Sequence, residues 1–406
     1  MAIPSIMKLP ITTMTLTTMS LTTMTLAITM TSVSSAVLLS SAVLLSSGAV
    51  HAQDAARDDI LRMRDGQTLR KIEIVSENLD TVTYKNGSKE ESAASRDVLE
   101  AVYAASDEVG ERARFAADNG EFSRAANLYQ EIADRSSREP AKAWAAFWAA
   151  RNLFFAAAGD EGLAQTAAST LATWIGKNSE HRLLPLALET QGQALITAGK
   201  ADEAQKAYQA LGKIAADKDL GSMWVARGKF GEAQALVGAG KFADARTAFV
   251  AASATLSAES ADNREAANLA VAAKTGEGEC YLAEKRNKEA QDYFRRMQSN
   301  AGDDAMLIAA ARCGEAHAIL EEGLAKNDLK SVRRAQALLA EVSATDASDG
   351  DASPKAAYLL AQSILALGEE KEGKDFQKRA KSMLQDIVDN YGASRWAARA
   401  RSLLKS

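Results

Sequence analysis

Seven alanines set the rhythm of most of this chain. Ala125, Ala164, Ala204, Ala245, Ala290, Ala335 and Ala380 follow one another at intervals of 39, 40, 41, 45, 45 and 45 residues. Four residues after each stand Tyr129, Ala168, Tyr208, Phe249, Phe294, Leu339 and Leu384; seven after stand Ile132, Leu171, Leu211, Ala252, Met297, Val342 and Ile387. An apolar stripe at i, i+4 and i+7 is one face of an α-helix, so each alanine opens a buried helical face. Gly120, Gly159, Gly199 and Gly240 precede the first four alanines by five residues, where a chain leaving one helix needs a left-handed residue before entering the next. Lys285, Lys330 and Asp375 hold that place in the later periods. Pro140, Pro185 and Pro354 each fall where the first helix of a pair would begin, and there the missing N–H costs nothing. The pattern predicts seven helical hairpins over 105–392 and a closing helix over 393–406, with Trp396, Ala400 and Leu403 on one face.

Ahead of these helices the period shortens to two. Ile60-Leu61-Arg62-Met63, Leu69 to Val75, Leu79 to Tyr84 and Val98 to Tyr103 are short runs of strand type. Asp65-Gly66 and Asn86-Gly87 lie between them, and such dipeptides tolerate the positive φ of tight hairpin turns. Residues 53–104 therefore read as a small β module of four or five strands, which resembles SH3-like and Sm-like barrels in pattern alone. It is expected to dock on the first hairpin as a separable unit, because repeat arrays are held mainly by nearest-neighbour contacts. Asn86-Gly87-Ser88 is also a glycosylation sequon, but the turn accounts for it.

Residues 1–52 are of another composition. Lys8 is their single charge, followed by a Thr/Met/Leu-rich run and a doubled Ser-Ser-Ala-Val-Leu-Leu segment starting at Ser34 and Ser40. With Val50-His51-Ala52 at its end, this stretch is expected to be a secretory signal peptide cleaved after Ala52. A retained anchor is the weaker reading, since the apolar run from Ala36 to Val50 is short and broken by serines. No cysteine stands near the cleavage site to carry a lipid, so the expected location is periplasmic or secreted, with no membrane span after cleavage.

Composition narrows the chemistry. Lys+Arg 48 against Asp+Glu 53 gives a net charge of -5, without the broad positive field of a nucleic-acid binder. Three His and two Cys are few soft ligands for a four-ligand zinc site, and the carboxylates lack calcium-loop spacing. No phosphate-binding loop, metalloprotease helix, nucleophile elbow or dinucleotide fingerprint occurs, so no enzyme activity and no cofactor are expected. Gly276-x-Gly278 lacks the third glycine of that fingerprint and reads as close helix packing; His181 and His317 read as structural histidines. The aromatics Trp144, Phe147, Trp148, Phe154 and Phe155 run along one helix and suit either a core or a stacking platform. Cys280 and Cys313 fall on the first helices of adjacent periods, as a disulfide in an oxidising compartment or as two buried small hydrophobes.

Residues 106–406 resemble the tetratricopeptide repeat (TPR) family. The best copies are Gly192…Gly199-Lys200-Ala201…Ala204…Tyr208…Leu211, Gly240-Lys241-Phe242…Ala245…Phe249 and Gly278…Tyr281…Ala290…Phe294. The periods exceed the family's usual unit of about 34 residues, and similarly long repeats occur in exported proteins of the bacterial cell envelope such as the Tol-Pal accessory type. The resemblance implies a mostly α fold, a right-handed α-solenoid preceded by the β module, acting as a scaffold for protein partners. In that family the first helix of each hairpin lines the inner face, and the residue after its mid-helix small residue points into the groove. Carried over, this selects Arg114, Gln193, Gln234, Glu279 and Glu315, with Glu189 and Arg227 one turn earlier on the same faces. A polar, mixed-charge floor of this kind suits a protein or peptide ligand. The alternative is an envelope glycan stacked on exposed Trp144, Trp148 or Trp174.

Overall fold

The computed structural model describes residues 59–104, 107–258, 260, 263–345, 351–367, 373–391 and 394–405. Residues 1–52, where the signal peptide is expected, lie outside them. Five strands come first: β1 (Asp59–Met63), β2 (Thr68–Glu77), β3 (Thr81–Asn86), β4 (Lys89–Ala94) and β5 (Val98–Val102). They form one antiparallel sheet in the order β4-β3-β2-β1-β5, with Gly66 and Gly87 at φ of 91° and 64° in the two tight turns. β4 reads Lys-Glu-Glu-Ser-Ala-Ala, with no apolar alternation to announce it; it is a strand because it pairs with β3 along its whole length.

The helices follow in pairs. They are α1 (Asp107–Asp118) and α2 (Phe122–Arg135), α3 (Glu139–Ala157) and α4 (Glu161–Lys177), α5 (Leu184–Thr197) and α6 (Ala201–Asp217), and α7 (Ser222–Gly238) and α8 (Phe242–Thr255). Then come α9 (Arg264–Ala283) and α10 (Asn287–Ser299), α11 (Ala305–Ala325) and α12 (Leu329–Thr345), α13 (Ala352–Leu367) and α14 (Gly373–Asn390), and the closing α15 (Arg395–Lys405). Each helix packs on its predecessor, giving a TPR-like stack of hairpins. All seven repeat alanines lie on second helices and are fully buried, and their i+4 and i+7 partners are buried as well. Small residues there permit close crossings, and the rings in the stripe fill what remains. The Tyr208 ring of α6 lies between Gly192 of α5 and Gly231 of α7; a methyl built on Gly192 would stand 2.5 Å from it, and one on Gly231 nearer still. Phe249 sits on Gly276 in the same way, and Phe294 on Gly278 and Gly314. The pair Gly276 and Gly278 thus serves two different rings from one helix.

One turn assignment shifts. Lys285 takes the left-handed conformation expected of it (φ 60°), but in the sixth hairpin Asn327 does so (φ 52°) and Lys330 already lies within α12. Asn tolerates this region better than Lys because its short side chain can hydrogen-bond locally. Asp375 likewise lies inside α14.

The sheet is joined to the helices far more widely than docking on one hairpin requires. Strand residues Leu61, Ile72, Ile74 and Val98 share a continuous core with Tyr103, Tyr129, Trp144, Phe147 and Trp174. Asp59 is completely buried and accepts from the backbone N–H groups of Ile74 and Ala104, both at 2.8 Å. Its two oxygens also receive Arg138 at the start of α3, at 2.9 and 2.6 Å. These hydrogen bonds to Asp59 raise the Arg138 pKa, burial opposing them. Buried Glu77 accepts from Tyr103 at 2.5 Å and from Arg182, ahead of α5, at 2.9 Å. Asn78 pairs with His181 as an antiparallel bridge, and Leu79 N–H donates to Glu180 O at 2.8 Å. The sheet therefore extends its own hydrogen bonding into the α4–α5 connection.

Candidate partner-binding groove

Among the first helices, α3, α5, α7 and α9 pack side by side in order. Arg151, Glu189, Arg227 and Glu265 stand on them at a constant spacing of 38 residues with alternating sign. Arg227 donates to both oxygens of Glu189 at 3.1 and 2.8 Å and also bonds Glu265, while its guanidinium lies 5.0 Å from the Trp224 ring centroid. Burial lifts the Glu189 carboxyl above its ordinary range, with Arg227 and Arg151 pulling it back. Burial also lowers the Arg151 pKa, against the attraction of Glu189. Arg227 is thus engaged by both carboxylates, while Arg151 influences Glu189 through space and lies over the Trp148 and Phe155 rings.

Beside the ladder is a concavity of about 380 Å³ that brings together Glu189, Gln193, Arg227 and Gln234 with Asn268. With Glu189, Arg227 and Glu265 paired, the amides of Gln193 and Gln234 are the groups left to meet a partner. Amides both donate and accept, which matches an extended peptide backbone. Asn268 Oδ1 is buried and has no hydrogen-bond partner. Sequence reasoning missed Arg151, Glu265 and Asn268; the fixed spacing of 38 residues was the signal that could have found the first two.

The other selected residues lie elsewhere. Arg114, on α1, does not reach this concavity, and its Nη1 is buried without a hydrogen-bond partner. Glu279, on α9, takes the Lys355 ammonium of α13 at 2.7 Å, bridging past α11. Glu315 is held by Arg295 of α10 at 2.9 Å and Arg334 of α12 at 3.7 Å. Both arginines are on second helices, so Glu315 faces away from the inner side that the repeat rule assigned to it.

Two alternatives left open by the sequence are decided. Trp144 and Trp174 are core residues, only 3% and 5% exposed, and Trp174 Nε1 donates to Ala143 O at 2.7 Å; Trp148 is half-buried. They do not form an exposed stacking platform. Cys280 and Cys313 are buried thiols rather than a disulfide. They belong to different apolar clusters, Cys280 with Phe249 and Ala273, Cys313 with Ile319 and Val332. Burial pushes the Cys280 thiol up to about 12. His181 and His317 are both held neutral by burial, His317 with a pKa lowered to about 3.

A second concavity, of about 490 Å³, lies where β5 meets the first helices and is lined by Arg64, Leu99, Trp148, Arg182, Lys218 and Trp224, among others. Among the described residues no cluster of His, Cys, Asp and Glu is arranged to hold a metal ion, and no helix is long and apolar enough to cross a membrane.

No family model matches the chain, and no curated protein matches it either. Among solved structures, the apo form of RapI aligns at 12% identity and a TM-score of 0.44, covering 74% of this chain and 85% of that one. A Rap protein complexed with Competence and Sporulation Factor aligns at 16% identity and 0.40, covering 68% and 74%. Nearly identical TPR-like repeats of kinesin-light-chain type from Podosopora anserina align at 18% and 0.34, covering 51% and 96%.

Proposed function

We propose that this chain is an exported, non-enzymatic scaffold that holds an extended segment of a partner protein along α5, α7 and α9. The observation that carries the reading is the concavity where Gln193, Gln234 and Asn268 gather beside charges already paired with each other. Neutral amides on a floor braced by its own ion pairs favour a peptide backbone over a polyanion. A displayed peptide library selected on the full chain tests this. Enrichment of a shared motif, abolished by combined Gln193→Ala, Gln234→Ala and Asn268→Ala, is the expected result; a motif retained by the triple variant would move the site off this face. Export to the periplasm or beyond rests on the pattern of residues 1–52. Cell fractionation with N-terminal sequencing checks it, the expected mature terminus being Gln53.

A further inference from the structure

The second concavity, of about 490 Å³ between β5 and the first helices, is walled by large apolar side chains that keep part of their surface in water. Leu99 of β5 is 57% exposed, and Trp148 of α3, Leu186 of α5 and Trp224 of α7 are only partly buried around the same hollow. Apolar surface gathered in one hollow, rather than scattered singly, marks a place where another apolar group binds. Both tryptophans are held from one side: the Arg151 guanidinium lies 5.2 Å from the Trp148 ring centroid, and that of Arg227 lies 5.0 Å from the Trp224 centroid. Walls fixed before binding lose little freedom when they are covered.

Charge does not pull an ion into this hollow. Arg182, Lys218 and Glu100 of its lining are paired with Glu77, Glu180 and Arg62. The lining charges that remain, Arg64 and Arg96 against Asp80 and Asp219, are equal in number, so a neutral occupant is favoured.

The hollow is joined to the amide-lined concavity through two helices that both share. On α5, Leu186 lines the first, and Glu189 and Gln193 the second; on α7, Trp224 lines the first, and Arg227 and Gln234 the second. Arg227 is the link, lying over Trp224 and bonded to Glu189. Gln193 follows Leu186 by seven residues and Gln234 follows Trp224 by ten, which is about 10 and 15 Å along a helix. An extended chain advances about 3.3 Å per residue, so it crosses this stretch in about three to five residues.

From this arrangement we infer that the segment held along α5 and α7 is anchored by one large apolar side chain, aliphatic or aromatic, lodged among Leu99, Trp148, Leu186 and Trp224. The anchor stands about three to five residues from the part of the backbone that meets Gln193 and Gln234. The inference rests on the peptide groove proposed above and adds the kind of segment that the groove accepts.

The displayed peptide library selected on the full chain should enrich a motif with a leucine, phenylalanine or tryptophan at one fixed position. The enriched peptide, synthesised with that residue and with alanine in its place, is then titrated against the wild-type chain and against Leu99→Asp, Leu186→Ala and Gln193→Ala. On the wild-type chain the alanine peptide should bind about tenfold more weakly or worse, as truncated anchors do. Leu99→Asp, a change at an exposed position, and Leu186→Ala should each shrink that ratio, whereas Gln193→Ala should weaken both peptides and leave the ratio intact. A motif without a fixed large apolar residue overturns the anchor and leaves the groove standing. A ratio unchanged in both leucine variants also overturns it, by placing the anchor elsewhere. A library that enriches no motif overturns the groove and the anchor together.

Discussion

The sheet end and the middle of the stack solve the same joining problem by opposite means. Where the sheet meets α3 and the α4–α5 connection, two buried ion pairs are added to the shared apolar core: Asp59 with Arg138, and Glu77 with Arg182. Between α5 and α11 the recurring joint is one of shape, rings set against glycines, with the Arg227 ion pairs added along one face. A buried ion pair is a demanding joint, because each charge is tolerable only in the presence of its partner. A ring on a glycine asks only for volume and can be repeated hairpin after hairpin. The first kind of joint fixes a unique placement of a unique element, and the second builds a series.

Several changes would break or sharpen this contrast, beginning with the largest effect. A chain starting at Ser106 removes the sheet, strands Arg138 and Arg182 without their carboxylates and uncovers Trp144. Near-ultraviolet circular dichroism and urea unfolding should show that α1–α5 no longer melt cooperatively with the later hairpins. An unchanged single transition would mean that the sheet is separable after all.

Asp59→Ala removes one partner of a buried pair and two backbone acceptor contacts, and should cost about 3–5 kcal/mol. Gly231→Ala places a methyl in the Tyr208 ring and should cost about 1–3 kcal/mol. Adding Tyr208→Leu to the Gly231 variant should recover part of that loss, a compensation unavailable to Asp59→Ala. Denaturant melts of the three variants make the comparison.

Within the first pH unit below about 6.5 the histidines give a smaller effect, one that grows as the pH falls further. His317 has its pKa lowered to about 3 by burial, assisted by Lys355 and opposed by Glu279. In the unfolded chain it takes up a proton near its ordinary 6.5, so below that pH the unfolded state binds more protons than the native one. Stability should therefore fall as the pH drops from about 6.5 toward 3, by about 1.4 kcal/mol per unit from this group. His317→Gln should flatten that slope while leaving the contribution of His181, whose pKa is also lowered by burial. Smallest of all, Gln193→Ala and Gln234→Ala should each change stability by about 0.5 kcal/mol or less. A larger shift would show these amides to be structural groups.

The sequence made the two regions legible to different degrees. The alanine register exposes the stack because the same packing recurs at every crossing and leaves a periodic trace. Asp65-Gly66 and Asn86-Gly87 disclose two turns of the sheet for a similarly local reason. Asp59 and Glu77 disclose nothing, since an isolated acid becomes meaningful only when Arg138 and Arg182 arrive from 79 and 105 residues away. The sheet therefore looked separable. Glu315 was misplaced because a rule about helix faces does not see the arginines of α10 and α12, and Asn268 was missed because one amide on a helix carries no pattern.

The reach of those two acidic residues has a mechanical consequence. Drawn from its C-terminus by a steady force, the chain should shed hairpins in sequence, each release lengthening the tether by one hairpin and leaving the next ring-on-glycine contact to bear the load. That series should stop near α5. There the tether is tied back to β1 and β2, so Arg182 cannot leave without tearing Glu77 from the sheet, and Arg138 cannot leave without Asp59. The last stretch, from the sheet through α5, should then come apart in one long step at a higher force than any hairpin before it.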